Sequence, residues 1–380
     1  GERSARIALA APTGKAAARL QESIRAAKPG LGLDPMVAAQ IPEEASTLHR
    51  LLGGRPDSVY FRHDRDNPLP LDILVVDEVS MVGLALMAKT VDALPPDARL
   101  ILLGDKDQLA SVEAGSVLGE ICAGAGRFSP EFQARLTALT GEALPGGRAA
   151  ISPLVDTIVL LRHSFRFGAD SGIGALARAV NRGRAAEAAA LLDDARFGDI
   201  DWRPLADPDE LPERLAEPVA AGFAPYLRAA RDRAEPVEVF ERFGRFRVLA
   251  ALRGGPFGVD ALNRLCETAL HRRGLIDSRP AWYLGRPVMI VRNDYNLRLF
   301  NGDIGITLAD PVDPGRASVF FLGSDGALRR FAPARLPEHQ TVYAMTVHKS
   351  QGSEFEQVLV VTPNEPSPVL SRELVYTALT

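Results

Sequence analysis

The chain is short of several things, and each shortage narrows what it can be. There are two cysteines in 380 residues, Cys122 and Cys266. They stand far apart and match no metal or redox spacing, which excludes a disulfide framework and points to a reducing, cytoplasmic compartment. The longest apolar runs, such as Ile73 to Val76, stop far short of the roughly 18 residues a membrane span requires. No charged-then-apolar leader opens the sequence, so no secretory signal is visible. Lysine is scarce, with five against 39 arginines. Because Ala, Gly and Pro are also plentiful, that bias reads first as base composition. Net charge is −4, so a polyanion would have to be held in a local groove and not by the overall field.

What remains is an ordinary globular balance, 46% hydrophobic and 24% charged, at a length that suggests two or three domains. Short apolar runs alternate with amphipathic helical stretches, the pattern of a parallel α/β architecture. The strands expected are Ile7 to Ala11, Leu71 to Val76, Arg99 to Leu103, Thr157 to Leu161, Phe246 to Ala251, Thr341 to Thr346 and Gln357 to Thr362. Leu205 to Glu238, rich in Pro and charge, reads as a surface helical excursion. Between Gly285 and Pro337 the strands are short: Pro287 to Val291, Ile304 to Leu308 and Ala317 to Leu322. They are separated by Asn301-Gly302 and Ser324-Asp325-Gly326, which tolerate positive φ and so favour hairpins. A small all-β insert, closed as a barrel, is expected there.

Four segments carry chemistry. Leu71 to Glu78 is an apolar strand ending in two carboxylates. Such a strand can deliver Asp77 rigidly to a Mg²⁺ ion and leave Glu78 to orient or deprotonate water. A strand that merely ends in a polar turn would look the same. Leu102 to Leu109 ends a second strand, and the Gln108 amide could hydrogen-bond a γ-phosphate or simply face solvent. Thr346 to Phe355 is a polar and glycine-rich run suited to holding a backbone phosphate and a nucleotide, or a helix cap with Lys349 in water. Ser164-Phe165-Arg166-Phe167 sets an arginine among aromatics, either for a ligand or for a cation–π contact. A phosphate loop of the form G-x-x-x-x-G-K-[ST] is missing. At Gly14-Lys15 the positions that need a glycine and a hydroxyl hold Leu9 and Ala16. That turn could still meet a phosphate with backbone N–H groups.

In order, these segments resemble the helicase motifs of superfamily 1, and most closely those of the RecD family, the alpha subunits of exodeoxyribonuclease V. The stretches that carry the resemblance are Ala11 to Leu20, Thr47 to Gly53, Val75 to Met81, Gly104 to Gly115, Ser164 to Phe167, Asn301 to Gly305, Thr346 to Phe355 and Arg372 to Thr380. The resemblance implies two RecA-like parallel-sheet domains with an inserted small SH3-like β-barrel. The first domain would occupy residues 1–152 without its P-loop portion. The second would occupy 153–284 and 338–380, with the insert at 285–337. It implies ATP-dependent translocation along single-stranded DNA, 5′ to 3′, in a complex with RecB-like and RecC-like subunits that acts on duplex ends, with no membrane involved. Asp77 would hold Mg²⁺, Glu78 would activate water, Gln108 would sense the γ-phosphate and Arg166 would serve as an arginine finger. Gly352 and Glu354 would hold the nucleotide, so that Arg166 and Glu354 face Asp77 and Gln108 from the opposite lobe. Thr13, Lys15, Thr47, His49, Thr346 and His348 would line the DNA groove. Because the P-loop and the end of motif VI are absent, these residues alone are expected not to hydrolyse ATP. A partner-free RecD-like helicase and a non-catalytic DNA-binding or scaffolding segment are the alternatives.

Overall fold

The computed structural model describes residues 4–55, 58–111, 117–123, 125–126, 128–142, 154–168, 170–205, 207–313, 315–323 and 326–380. The chain divides into two compact units, Gly1–Ala175 and Leu176–Thr380. The expected domain boundary at 152/153 lies outside the described residues, as do Val112 to Gly115 and the turn residues Ser324 and Asp325.

In the first unit, β1 (Ile7–Ala11), β2 (Ala45–Thr47), β3 (Ile73–Val76) and β4 (Arg99–Leu102) form one parallel sheet in the order β2-β1-β3-β4. Alternate residues of β3, Leu74 and Val76, are fully buried, as the period of two requires when one face meets a core. That core is aliphatic, built from Leu48, Leu52, Leu74, Val76, Val79 and Val82. The helix Gly14–Ala27 buries Ala16, Ala17 and Leu20, the spacing that keeps side chains on one helical face. Thr157 to Leu161 is not the strand expected. Val155–Thr157 is a 3₁₀ turn, and Val159 and Leu161 are 73% and 91% exposed. Ile158 is buried, but the segment pairs with no neighbouring strand among the described residues, so its β-branched residues do not make a ladder.

In the second unit, β5 (Phe246–Ala250) is buried throughout and sits at the centre of a three-stranded parallel sheet. It lies between β11 (Ala344–Thr346) and β12 (Gln357–Val361). The Pro-rich segment before it corrects the surface expectation. Leu211–Arg231 is a single helix whose Leu215, Val219, Phe223, Tyr226 and Leu227 sit in the main core. Its charged residues fall on the other face, and Pro218 and Pro225, inside the helix, conceal the pattern, since interior proline normally argues against helix. Gly222 makes the packing possible, because a Cβ there would lie 2.3 Å from the Phe246 ring.

Between these elements, β6 (Pro287–Ile290), β7 (Ile304–Ala309), β8 (Ala317–Leu322), β9 (Leu328–Phe331) and β10 (His339–Thr341) form an antiparallel sheet. Its order is β10-β6-β7-β8-β9, with no pairing between β9 and β10 among the described residues. The sheet buries Val288, Ile290, Leu299, Val319 and Phe321. The expected strand Thr341 to Thr346 is in fact divided. Thr341 ends β10 in this sheet, Ala344 begins β11 in the parallel one, and buried Val342 and Tyr343 connect them. No helix among the described residues is long and apolar enough to cross a membrane.

Candidate nucleotide and nucleic-acid site

Because every strand of the first sheet runs the same way, their C-terminal ends share one edge, the place where open α/β sheets bind ligands. Across that edge the order of strands sets out Thr47 on β2, Thr13 after β1, Asp77 and Glu78 after β3, and Gln108 beyond β4. Thr13 Oγ1 accepts the Ala16 N–H at 3.1 Å, and Thr47 Oγ1 accepts the Arg50 N–H at 3.2 Å. Each threonine thus caps the helix that follows its strand. Lys15 and His49, in the first turns of those helices, are exposed, and the His49 ring lies 5.8 Å from that of Phe61.

The tips of β3 and β4 are tied together. Leu103 N–H donates to Val76 O at 2.8 Å and Val79 N–H to Leu103 O at 3.0 Å. The approach is close enough that a Cβ on Gly104 would stand 3.0 Å from the Val79 nitrogen. Asp77 Oδ1 accepts the Glu78 N–H at 2.9 Å. Glu78 itself adopts left-handed backbone, φ 53° and ψ 41°, a conformation costly for a residue with a Cβ and concentrated at functional sites. Burial holds the Glu78 carboxyl above its ordinary range; neighbouring Asp77 adds to this, the nearby Arg19 guanidinium opposes it, and Asp105 raises it further. Gln108 is half-buried, in a turn closed by Gln108 N–H to Asp105 O at 3.3 Å and Asp107 N–H to Asp105 Oδ1 at 3.0 Å.

No group of three or more ligating side chains among the described residues could hold a metal ion alone. A Mg²⁺ ion asks for less, since it keeps its waters and takes one or two carboxylates plus phosphate oxygens. The Asp77 and Glu78 pair meets that requirement. Arg166 is exposed, in a segment without regular structure that belongs to the first compact unit.

In the second unit the same construction recurs. Thr346 ends β11, beside Ala250 of β5, and its Oγ1 accepts the Lys349 N–H at 3.2 Å. Burial lowers the His348 imidazole below its usual value. It also lowers the Lys349 ammonium, with a further push from the neighbouring Arg253 cation. Two cations at the ends of neighbouring strands suit an anion. Gly352 turns the chain at φ 70°, and Glu354 is exposed. Behind this loop Arg247 is buried, its guanidinium 4.0 Å from the Phe243 ring and 5.3 Å from that of Phe355.

Arg19 and Arg253 are site residues that the sequence reading passed over. Arg19 follows Lys15 by one helical turn, and Arg253 opens an Arg-Gly-Gly loop after a buried strand. Of the two, only Arg253 was open to inference.

Comparison with known proteins finds matches along the chain. Residues 1–114 match the AAA domain family, and residues 341–380 match the UvrD-like helicase C-terminal domain. The RecBCD enzyme subunit RecD of Haemophilus influenzae is 39% identical over 98% of this chain and 60% of its own length. That of Mycolicibacterium smegmatis is 41% identical over 100% of this chain and 61% of its own length. The ATP-dependent RecD2 DNA helicase of Deinococcus radiodurans is 34% identical over 98% of this chain and 41% of its own length. A crystal structure of Bacteroides Pif1 bound to single-stranded DNA aligns over 99% of this chain and 86% of that chain, at 16% identity and a TM-score of 0.43. The chain spans about 60% of the length of the curated RecD relatives it matches. At this level of identity the chain is similar along its whole length to proteins named RecBCD enzyme subunit RecD.

Proposed function

We propose that this chain is the motor portion of an ATP-dependent DNA helicase subunit in an exodeoxyribonuclease V-type repair and recombination complex. Its two parallel sheets act as RecA-like lobes, one in Gly1–Ala175 and one in Leu176–Thr380, with residues 285–337 as an SH3-like insert in the second. The observation that carries the reading is the shared strand-end edge, where Asp77, Glu78 and Gln108 sit beside the capping threonines Thr13 and Thr47.

With ATP bound, Asp77 would hold the accompanying Mg²⁺, whose charge offsets that developing on the phosphates. Glu78 has the raised proton affinity of a general base held partly out of water. Gln108 donates its amide to the γ-phosphate, and Arg166 supplies a guanidinium to the same group. By the family resemblance, Gly352 and Glu354 would also hold the nucleotide. Thr13, Lys15, Thr47, His49, Thr346 and His348 hold the DNA backbone, where contacts carry no sequence information, as a motor requires. The 5′-to-3′ direction rests on the family resemblance. RecB-like and RecC-like partners follow from the relatives' names, and the subunits of Haemophilus influenzae and Mycolicibacterium smegmatis, at 39% and 41%, exceed the 34% of RecD2.

The decisive experiment is Glu78→Gln in a full-length protein carrying these residues. ATP hydrolysis should fall by about 10² to 10⁴ while single-stranded DNA binding persists. Equal loss of both would make Glu78 structural, unchanged turnover would remove Glu78 from the chemistry, and no hydrolysis by the unmutated protein would favour a non-catalytic scaffold. Arg166→Ala in the same protein should lower turnover by about 10³ to 10⁵ with little change in nucleotide affinity; an unchanged rate returns Arg166 to solvent. The 380-residue chain, having no phosphate loop in its sequence, should show no DNA-stimulated turnover above an Asp77→Asn control.

A further inference from the structure

The connection from β6 to β7, residues 291–303, serves neither strand-end edge, yet it is firmly built. Asn293 Oδ1 accepts the Asn301 N–H at 2.8 Å. Asp294 Oδ1 accepts the N–H groups of Asn296 at 3.0 Å and Leu297 at 2.9 Å. The backbones of Asp294 and Leu299 exchange two hydrogen bonds, at 2.7 and 3.0 Å. Asp303 Oδ2 accepts the Phe300 N–H at 2.9 Å, and Arg329 of β9 donates to the Arg298 carbonyl. Leu299, fully buried, anchors the loop in the core of the antiparallel sheet.

What this rigid loop presents outward is aromatic and cationic. Tyr295 is 62% exposed and Phe300 43%, their rings meeting edge to face at 6.0 Å. Arg292 and Arg298 are exposed beside them, with no carboxylate partner among the described residues. The loop's own carboxylates, Asp294 and Asp303, accept backbone N–H groups and so belong to its frame. Aromatic faces stack on any base, and flanking arginines meet the phosphates between them. A loop already ordered loses little entropy on binding.

We infer that this loop is a second contact for single-stranded nucleic acid, with bases stacking on Tyr295 and Phe300 and phosphates met by Arg292 and Arg298. The inference rests on the DNA-binding reading above and adds a base-dependent contact to a grip that is otherwise backbone-only.

The test is fluorescence anisotropy of the 380-residue chain with a labelled oligo(dT) and with an abasic strand of the same length. The double variant Tyr295→Ala/Phe300→Ala should bind oligo(dT) about tenfold or more weakly and the abasic strand as well as the parent does. Tyr295→Phe/Phe300→Tyr should restore oligo(dT) binding. Arg292→Gln/Arg298→Gln should weaken both ligands and flatten the salt dependence, by about 0.7 in log–log slope for each arginine removed. Equal losses on both strands from the alanine pair would overturn stacking. So would normal oligo(dT) binding together with failure to associate with RecB-like and RecC-like subunits, which would make the loop a protein-docking surface. If the parent chain binds neither strand, the DNA reading itself fails; if it binds and the variants match it, only the loop's role does.

Discussion

The two parallel sheets finish their outer strands in different ways. In the first unit β4 is an edge strand, and Ile101 and Leu103 at its end remain 45% and 42% exposed. In the second unit β11 is also an edge strand, but Asn263 covers it. Its Nδ2 donates to Ala344 O at 3.0 Å, and its Oδ1 accepts the Ala344 N–H at 3.0 Å, so a side-chain amide takes the place of a neighbouring strand. The same Nδ2 also donates to Val259 O of its own helix at 3.0 Å. The first unit thus keeps a mainly aliphatic interior, with the small hydroxyls of Ser80 and Thr90 buried in it, and puts its charged groups at the strand tips. The second brings polar groups inside: Arg247, Asn263 and the linked hydroxyls of Tyr283 and Tyr343. Where polar residues lie at tips, chemistry and stability can be altered separately. Where they lie inside, the position of a tip residue such as Thr346 depends on hydrogen bonds several ångströms behind it.

The strongest way to break that contrast is Asn263→Ala. It leaves a buried N–H and a buried C=O of Ala344 without partners, and each such loss costs about 1 to 3 kcal/mol. A destabilisation of about 3 kcal/mol is expected, confined to the second unit. Both tryptophans, Trp202 and Trp282, lie in that unit, so urea denaturation followed by tryptophan fluorescence reads it directly. A change below about 1 kcal/mol would mean the edge of β11 does not depend on the amide.

The matching experiment in the first unit is Gly104→Ala. Its Cβ would lie 3.0 Å from both Leu118 Cδ2 and the Val79 nitrogen, with Ser80 N at 3.3 Å. Overpacking of this kind costs about 1 to 3 kcal/mol, and the strain falls on the turn that holds Glu78. Gly14→Ala is the control, with nothing within 4 Å of the added methyl, and should stay within about 0.5 kcal/mol. Circular dichroism melts that rank the two alike would show that the strand tips are not tightly joined.

The same contrast explains how much of the molecule could be read from its sequence. β1, β3 and β4 were legible because each is an apolar run ended by a polar or glycine-rich turn, and Asp77, Glu78 and Gln108 were legible because they come directly after such runs. β2 has only three residues, too few for a period to register. Leu211–Arg231 was hidden by two prolines that the helix accommodates. Thr341 to Thr346 looked like one strand because hydropathy does not record a change of sheet. Arg19 and Asn263 were out of reach for a different reason. Their roles are set by what faces them across space, Glu78 in one case and a bare strand edge in the other.

The smallest effect expected separates the units by pH. The second unit's buried cation, Arg247, is pushed down to about 10 by burial and so stays charged throughout the neutral range. The first unit's half-buried Glu78 carboxyl is held above 4.5, chiefly by burial. A carboxyl whose folded pKa is raised binds its proton more readily in the native state. Between 4.5 and that raised value the native state therefore holds more protons than the unfolded one, and stability falls as pH rises through this window. Glu78→Gln removes the dependence. Without nucleotide or divalent cations, the variant should melt higher than the parent at pH 7, and the gain should vanish as pH falls to about 4.5. The gain should be absent from tryptophan fluorescence, which reports the second unit, and present in circular dichroism. An advantage that is the same at both pH values would assign the effect to the left-handed turn at Glu78 and not to its charge.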